Sequence, residues 1–446
     1  MKRKYFGTDG IRGEYENSIM TNSFSRRLGK AVGQWILESK TNPKVVIGRD
    51  TRESGILICR AFAEGLSVAG NLNVVDLGIL PTPAVAVYVR NISADLGVVI
   101  TASHNPAKDN GIKFFDSRGV KLRDSVEVRI EEILETIQKM DAVGRGNLQT
   151  SEEGAGAYLN LLQPILQGYS LRGVKIVLDA SHGATFKTST ALLNYFDADL
   201  IIAGNNPNGR NINEGIGSQH PEHLASLVKS NAAHLGIAHD GDGDRVLFCD
   251  ENGDVLHGDV LLALLAKHAL EVGNLVKNTL VATVQSNLGL DRALEAAGGR
   301  LIRTPIGDRY VLNEMLKFGY NLGGESSGHI IYADVNPTGD GLLAALLVLK
   351  IMLKAQKPLS ELKHCMLLMP QMTGAVQVQQ KPALETLPGI QSVLDNLKEE
   401  MGTKGRVLLR YSGTEPIIRL LIEGEDVDQV RDWYQTLEYE VKNQLS

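Results

Sequence analysis

The feature that most constrains this chain is a recurring alternation of short apolar runs with helix-length segments. From Phe24 the residues Phe24, Leu28, Ala31, Val32, Trp35 and Ile36 fall at helical spacing, and a β-rich run over residues 44–48 follows. Further runs of the same kind occupy residues 73–77, 96–100, 174–178, 200–202, 235–238 and 280–284. Strands buried on both faces read as continuous apolar runs, and parallel pairing needs a crossover long enough for a helix. The pattern therefore predicts largely parallel α/β sheet covered on both sides. Such sheets bind ligands beyond the carboxyl ends of their strands.

A chain of 446 residues is too long for one domain. Breaks near residues 144–147, 250–253 and 369–370 divide it into segments 1–150, 151–253, 254–368 and 369–446. The last differs in kind: an alternating stretch at residues 377–379, strands at 406–409 and 417–422, and a terminal helix describe an α+β unit. With 43% hydrophobic and 22% charged residues the chain can pack a core, and a net charge of −6 offers nothing general to nucleic acid or an acidic membrane. The longest apolar stretch, residues 342–349, is far too short to cross a bilayer and reads as a buried helix. The basic start at residues 1–4 lacks the apolar core of a secretion signal, and Cys59, Cys249 and Cys365 show no paired spacing; both fit a reducing cytoplasm.

Polar clusters sit directly after the strands. Ser103 precedes His104-Asn105-Pro106, and the proline forces the chain out of the ladder, so the hydroxyl is expected to be displayed on a loop. An ordinary strand-ending turn has the same composition, and a serine nucleophile needs a base or metal that the tripeptide does not supply. Asp240, Asp242 and Asp244 alternate with Gly241 and Gly243, which lets a tight backbone gather three hard oxygen ligands around magnesium, calcium or manganese. Counted as a calcium-binding helix-loop-helix, the run has acids at positions 1, 3, 5 and, with Glu251, 12. Position 6, however, is Arg245 where glycine is required, and the flanks read as a strand and a hairpin over residues 246–255.

Glu325, Ser326, Ser327 and His329, framed by Gly324 and Gly328, offer groups suited to sugar hydroxyls, although a lone histidine is more often structural. Arg410, Ser412, Gly413 and Thr414, with Arg419 further on, could cradle a phosphate, or form only a charged hairpin. No Gly-Lys-Ser/Thr triplet marks a nucleotide-binding loop.

Taken together, Gly7-Thr8-Asp9-Gly10-Ile11-Arg12-Gly13, Thr101-Ala102-Ser103-His104-Asn105-Pro106, Asp240-Gly241-Asp242-Gly243-Asp244-Arg245 and Arg410-Tyr411-Ser412-Gly413-Thr414-Glu415-Pro416 closely resemble the motifs of the alpha-D-phosphohexomutase family, in order and over essentially the whole chain. The opening motif, Gly307-Asp308-Arg309-Tyr310-Val311 and the last motif are most similar to its bacterial phosphoglucosamine mutase branch. The resemblance implies three similar α/β mixed-sheet domains and a C-terminal α+β domain related to the TATA-box-binding protein, an analogy of fold that carries no DNA binding. It implies that phosphorylated Ser103, with magnesium on Asp240, Asp242, Asp244 and the serine oxygen, converts glucosamine 6-phosphate to glucosamine 1-phosphate. The path runs through a sugar bisphosphate, with glucosamine or glucose 1,6-bisphosphate as activator.

By the same resemblance Lys113, Arg12, Arg245 and His104 stabilise charge or move protons. Glu325, Ser327 and His329 grip the sugar, and Arg410, Ser412, Gly413, Thr414 and Arg419 hold the distant phosphate. A homodimer is also implied. The second histidine that some glucose and mannose enzymes carry has no counterpart near Gly307, and no residue identifies itself as the contact for an amine. The competing readings are a phosphoglucomutase or phosphomannomutase with the same chemistry, and a sugar-phosphate binding protein without turnover.

Overall fold

The computed structural model describes residues 3–138, 140, 148–413 and 415–445, and among these seventeen strands form four sheets. The first contains β1 (Ile11–Glu14), β2 (Lys44–Arg49), β3 (Asn73–Ile79), β4 (Leu96–Ile100), β5 (Asp109–Asp116) and β6 (Leu148–Thr150) in the order β1-β5-β4-β2-β3-β6. The second orders β7 (Lys175–Asp179), β8 (Asp199–Ala203), β9 (Leu235–His239) and β10 (Val246–Asp250) as β10-β9-β7-β8. The third orders β11 (Thr279–Thr283), β12 (Arg300–Thr304), β13 (Leu322–Gly324) and β14 (Ile330–Tyr332) as β12-β11-β13-β14. The fourth places β17 (Ile417–Gly424) between β15 (Gln371–Gln377) and β16 (Gly405–Tyr411), all antiparallel.

The first three sheets share a plan: a parallel centre and one antiparallel return, with β4 feeding β5, β9 feeding β10, and β13 feeding β14. The apolar runs marked the parallel strands β2, β3, β4, β7, β8, β9 and β11, and missed the parallel β6, β12 and β13 and the returns β5 and β14. Residues 246–255 form the expected hairpin in a short form: β10 also pairs backwards onto β9, the chain turns at residues 251–253, Val255 bridges Cys249 antiparallel, and the Leu256 amide donates to the Phe248 carbonyl at 2.9 Å. In the fourth segment the strand expected at residues 377–379 lies earlier, as β15 ends at Gln377.

Continuous apolar strands are explained by two-sided cover. In β2, Val45 and Ile47 enter one core with Phe62, Leu28 and Ile130, while Val46 enters the opposite core with Val85 and Leu80; in β4, Leu96, Val98 and Ile100 oppose Val99 in the same way. Helices Asn22–Leu37 and Glu53–Ala69 lie so close that a Cβ at Gly65 would stand 2.0 Å from the Arg26 carbonyl oxygen. The apolar stretch at residues 342–349 is indeed a buried helix, Gly341–Ala355. Its N-cap Asp340 accepts from the Leu343 amide at 2.9 Å and the Tyr158 hydroxyl at 2.6 Å, and its leucines join a core shared with β7, β9 and β11. The fourth sheet instead packs its own core of Val376, Ile418, Leu420, Trp433 and Leu437. No helix among the described residues is long and apolar enough to cross a membrane.

Candidate active site

The four polar loops singled out in the sequence each join adjacent antiparallel strands: residues 101–108 between β4 and β5, 240–245 between β9 and β10, 325–329 between β13 and β14, and the segment that links β16 to β17. The serine loop is built from beneath by Arg52 and Asp50, whose side chains are both 0% exposed. The Arg52 guanidinium binds Asp50 at 2.8 Å and donates to the carbonyls of Ser103 (3.1 Å), Asn105 (2.7 Å), Asp109 (2.9 Å) and Pro106. A buried guanidinium is tolerated because nearly every N–H finds an acceptor. Asp50 also accepts from Thr101 Oγ1 at 2.7 Å, and Thr101 Oγ1 accepts from the Ser103 amide at 2.8 Å. Asn213 of the second unit donates to the carbonyls of Ser103 and Asn105, closing the loop from the other side.

Ser103 takes a left-handed φ of 52°, a conformation costly for a non-glycine residue and held here by those contacts. It is not displayed outward as its proline-bounded loop suggests: it is 1% exposed, because the aspartate loop packs directly over it. A Cβ at Gly241 would stand 2.6 Å from the Ser103 carbonyl oxygen, so only glycine permits this approach. Ser103 Oγ donates to Asp240 Oδ2 at 2.6 Å and lies 3.3 Å from His104 Nδ1.

The Asp240, Asp242 and Asp244 carboxylates are buried, with one oxygen of each within 4.8 Å of the others. Lys113 on β5 stands 2.8 Å from Asp242, 3.1 Å from Asp244 and 3.0 Å from Asp9, and Thr82 donates to Asp242 at 2.6 Å. Burial works against the Lys113 charge, but these carboxylates hold its pKa well above the ordinary value. Burial also works to raise Asp244, yet Lys113 and His329 keep it well below the usual range; Asp240, buried beside two acids, is pushed well above. One lysine therefore does not balance three acids. Asp242 Oδ1 and Asp244 Oδ1 are buried without a hydrogen-bond partner, and with Asp240 and the serine oxygen they form an all-oxygen donor set suited to a hard divalent cation.

Around this centre lie the other expected groups. Arg245 donates its amide to Asp240 at 3.2 Å and keeps its guanidinium near Asp244, while Arg12 pairs with Asp9. His104 is lowered to about 4 by burial and by Arg245 and Arg12. His329 is not an open loop residue: it is 3% exposed, with Nδ1 3.7 Å from Asp244 and Nε2 3.3 Å from Asp308. Glu325 accepts from the Gly307 amide at 3.0 Å, and Ser327 is exposed on the same loop.

Arg410 and Arg419 stand directly opposite each other across β16 and β17. Like charges so placed repel, which marks a place where an anion would stabilise the pair. Arg410 lies in the strand itself, Ser412 is buried beside the exposed Gly413, and Arg419 pairs with Glu415 at 2.7 Å. Thr414 lies outside the described residues. Among the described residues, no hydrogen bond or ion pair joins Arg410, Ser412 or Arg419 to the serine, aspartate or sugar loops.

The tripeptide Ala102-Ser103-His104 has a second copy, Ala180-Ser181-His182, also at a strand end and also with a left-handed serine, φ 53°. Ser181 Oγ donates back to the Ala180 carbonyl at 2.8 Å. Only Ser103 meets a carboxylate cluster.

The chain matches four family models in succession: Phosphoglucomutase/phosphomannomutase alpha/beta/alpha domain I over residues 3–141, domain II over 157–253, domain III over 257–367, and the C-terminal domain over 375–437. It is 44% identical over 436 residues to a phosphoglucosamine mutase of Geotalea daltonii, covering 97% of this chain and 96% of that one. The chain belongs to the phosphoglucosamine mutase family. At fold level it resembles a Phosphoglucomutase/phosphomannomutase family protein from Burkholderia thailandensis, with TM-score 0.79, 23% identity and coverage of 98% and 97%. It also resembles the Aspergillus fumigatus N-acetylphosphoglucosamine mutase solved with GlcNAc-6P and magnesium, with TM-score 0.65, 17% identity and coverage of 100% and 96%.

Within this phosphoglucosamine mutase fold, several residues that surround the centre escape a reading of the sequence. Asp9, whose type and place in the opening motif signal no role, binds Arg12, Lys113 and Lys121 together. Lys121 and Asp308, 187 residues apart, meet across the first and third units. Nothing local in either segment signals that pairing.

Proposed function

We propose that this chain interconverts glucosamine 6-phosphate and glucosamine 1-phosphate through phosphorylated Ser103 and a sugar bisphosphate. The observation that carries the reading is Ser103 Oγ at 2.6 Å from Asp240, inside a buried carboxylate triad shared with Lys113, in a chain of this family. Magnesium fits the residues present: Asp240, Asp242, Asp244 and the serine oxygen would hold it, and it would supply positive charge to the transferring oxygens.

In the first half-reaction the bond from phosphorus to Ser103 Oγ breaks and one from phosphorus to a sugar hydroxyl oxygen forms. That hydroxyl loses a proton, and Oγ gains one. Lys113, Arg12 and Arg245 hold positive charge around the moving phosphoryl group. His104, 3.3 Å from Oγ, is placed to relay the sugar hydroxyl's proton to Oγ, and to relay the serine's proton to the sugar oxygen when Ser103 recovers a phosphoryl group from the other end of the sugar. Glu325, Ser327 and His329 grip the sugar, while Arg410, Ser412, Gly413, Thr414 and Arg419 hold the phosphate that is not reacting. Burial of Ser103 keeps water from the phosphoserine.

The test compares specificity constants for glucosamine, glucose and mannose 6-phosphates, with magnesium and a bisphosphate primer. A large preference for glucosamine 6-phosphate is expected; a preference for glucose or mannose would keep the mechanism and overturn the substrate. Replacing Arg410 and Arg419 together with methionine should raise KM for the sugar phosphate on the order of 100-fold, because two charge-assisted contacts to phosphate are lost. Phosphorylation of Ser103 by the bisphosphate, read by intact mass, should be much less affected. Equal loss of both would remove the assigned role.

A further inference from the structure

The segment Gly307-Asp308-Arg309 is one of the marks of the branch, yet phosphoryl transfer makes no use of it. It opens the helix Asp308–Phe318 and is clamped to the sugar loop at both ends: the Gly307 amide donates to Glu325 Oε1 at 3.0 Å, and Asp308 Oδ2 lies 3.3 Å from His329 Nε2. His329 Nε2 is buried and faces Asp308 without a well-aligned hydrogen bond, so it does not saturate the carboxylate. Resting on the substrate reading above, we propose that Asp308 distinguishes an amino sugar from its hydroxyl counterpart, its carboxylate accepting from the ammonium of the glucosamine phosphate.

The chemistry of the ligand leads there. Glucosamine and glucose phosphates differ at one group, and an ammonium donates only, so its recognition calls for an acceptor that stays anionic. Of the carboxylates around the cleft, Asp240, Asp242 and Asp244 face Ser103 and Lys113, and Asp9 is enclosed by Arg12, Lys113 and Lys121. Glu325 is pushed upward by burial and by Asp308, which suits it to hydroxyls. Asp308 differs: burial alone would raise it, but Lys121 and His329 hold it below its ordinary value. Its side chain keeps 13% exposure, against 0% for Asp242 and 5% for Asp244; Asp9 keeps 22% but is already paired with three cations, Arg12, Lys113 and Lys121. One ammonium already docks on it, since Lys121 Nζ binds Oδ2.

The carboxylate is also rigidly placed. Oδ1 accepts from the Arg309 amide at 2.8 Å, and the Arg309 guanidinium is fixed by Asp124 and Glu127 of the first unit. Each carboxylate oxygen has a second acceptor position, so Asp308 can take a ligand without giving up these contacts. A preorganised acceptor of this kind favours a charged amine and is left poorly paired by a hydroxyl.

The test measures kcat/KM for glucosamine 6-phosphate and glucose 6-phosphate with the full chain, magnesium and glucose 1,6-bisphosphate, for the wild type, Asp308→Asn and Lys121→Met. The isosteric D308N should lower the glucosamine-to-glucose ratio by about 10- to 100-fold, the worth of one charged hydrogen bond. K121M breaks the bridge between units but keeps the carboxylate, so it should slow both sugars alike and leave the ratio near that of the wild type. Equal loss on both sugars in D308N, or a ratio in K121M that collapses as far as in D308N, would overturn the assignment in favour of a purely structural bridge. A wild type that prefers glucose 6-phosphate would instead defeat the substrate reading, before any variant is made. Glucose 6-phosphate turnover and the melting temperature of each variant report its folding.

Discussion

Replacing Ser103 with alanine should lower turnover of glucosamine 6-phosphate on the order of 10⁴-fold or more, since the oxygen proposed to carry the phosphoryl group is removed. Ser181, the other serine in the same tripeptide context, is committed to the Ala180 carbonyl. The variant should remain folded, because Ser103 contributes one side-chain hydrogen bond to Asp240 and one contact to His104, while the loop is held mainly through its backbone by Arg52, Thr101 and Asn213. Incubation with a sugar bisphosphate should add one phosphate to the wild type and none to S103A by intact mass. Phosphorylated S103A protein, or S103A turnover within tenfold of the wild type, would put the chemistry at another residue.

Lys113→Met should produce the second large effect. The ammonium is 1% exposed and is shared by Asp9, Asp242 and Asp244. Its loss removes a positive charge from the transferring group, for which about 10²- to 10³-fold in kcat is expected. It also leaves buried carboxylates without their cation, a change that typically costs about 3–5 kcal/mol. A divalent cation at the triad would offset that cost, so magnesium should raise the melting temperature of K113M by more than it raises that of the wild type. If the shift is no larger in the variant, the triad does not hold the cation in competition with Lys113; if kcat is unchanged in a folded variant, Lys113 has no part in the transfer.

Several features of the site could be read along the chain because their signal is local. The Asp-Gly alternation at residues 240–244 needs no partner to be recognised, and the apolar runs at 44–48, 96–100 and 235–238 match β2, β4 and β9 to within a residue. The antiparallel returns were harder. β5 carries Lys113 and begins with Asp109-Asn110-Gly111, a stretch that reads as a turn, and it is a strand because β4 and β1 flank it. For the same reason a displayed serine became a covered one: its exposure depends on where the aspartate loop lands, 137 residues later.

What the sequence by itself determined is the inventory: four polar loops at strand ends, among them the serine loop of Ser103, a hard-oxygen triad, and two arginines suited to phosphate. Only the tertiary structure buried Ser103 against Asp240, closed Asp9, Lys113 and Lys121 into one network, and brought Asp308 against His329 and Lys121. The physical reason is range. Periodicity, turn chemistry and ligand type act over a few residues and leave their mark in the local pattern, whereas a salt bridge between residues 121 and 308 is selected by the packing of whole units against one another, which no local stretch of sequence encodes.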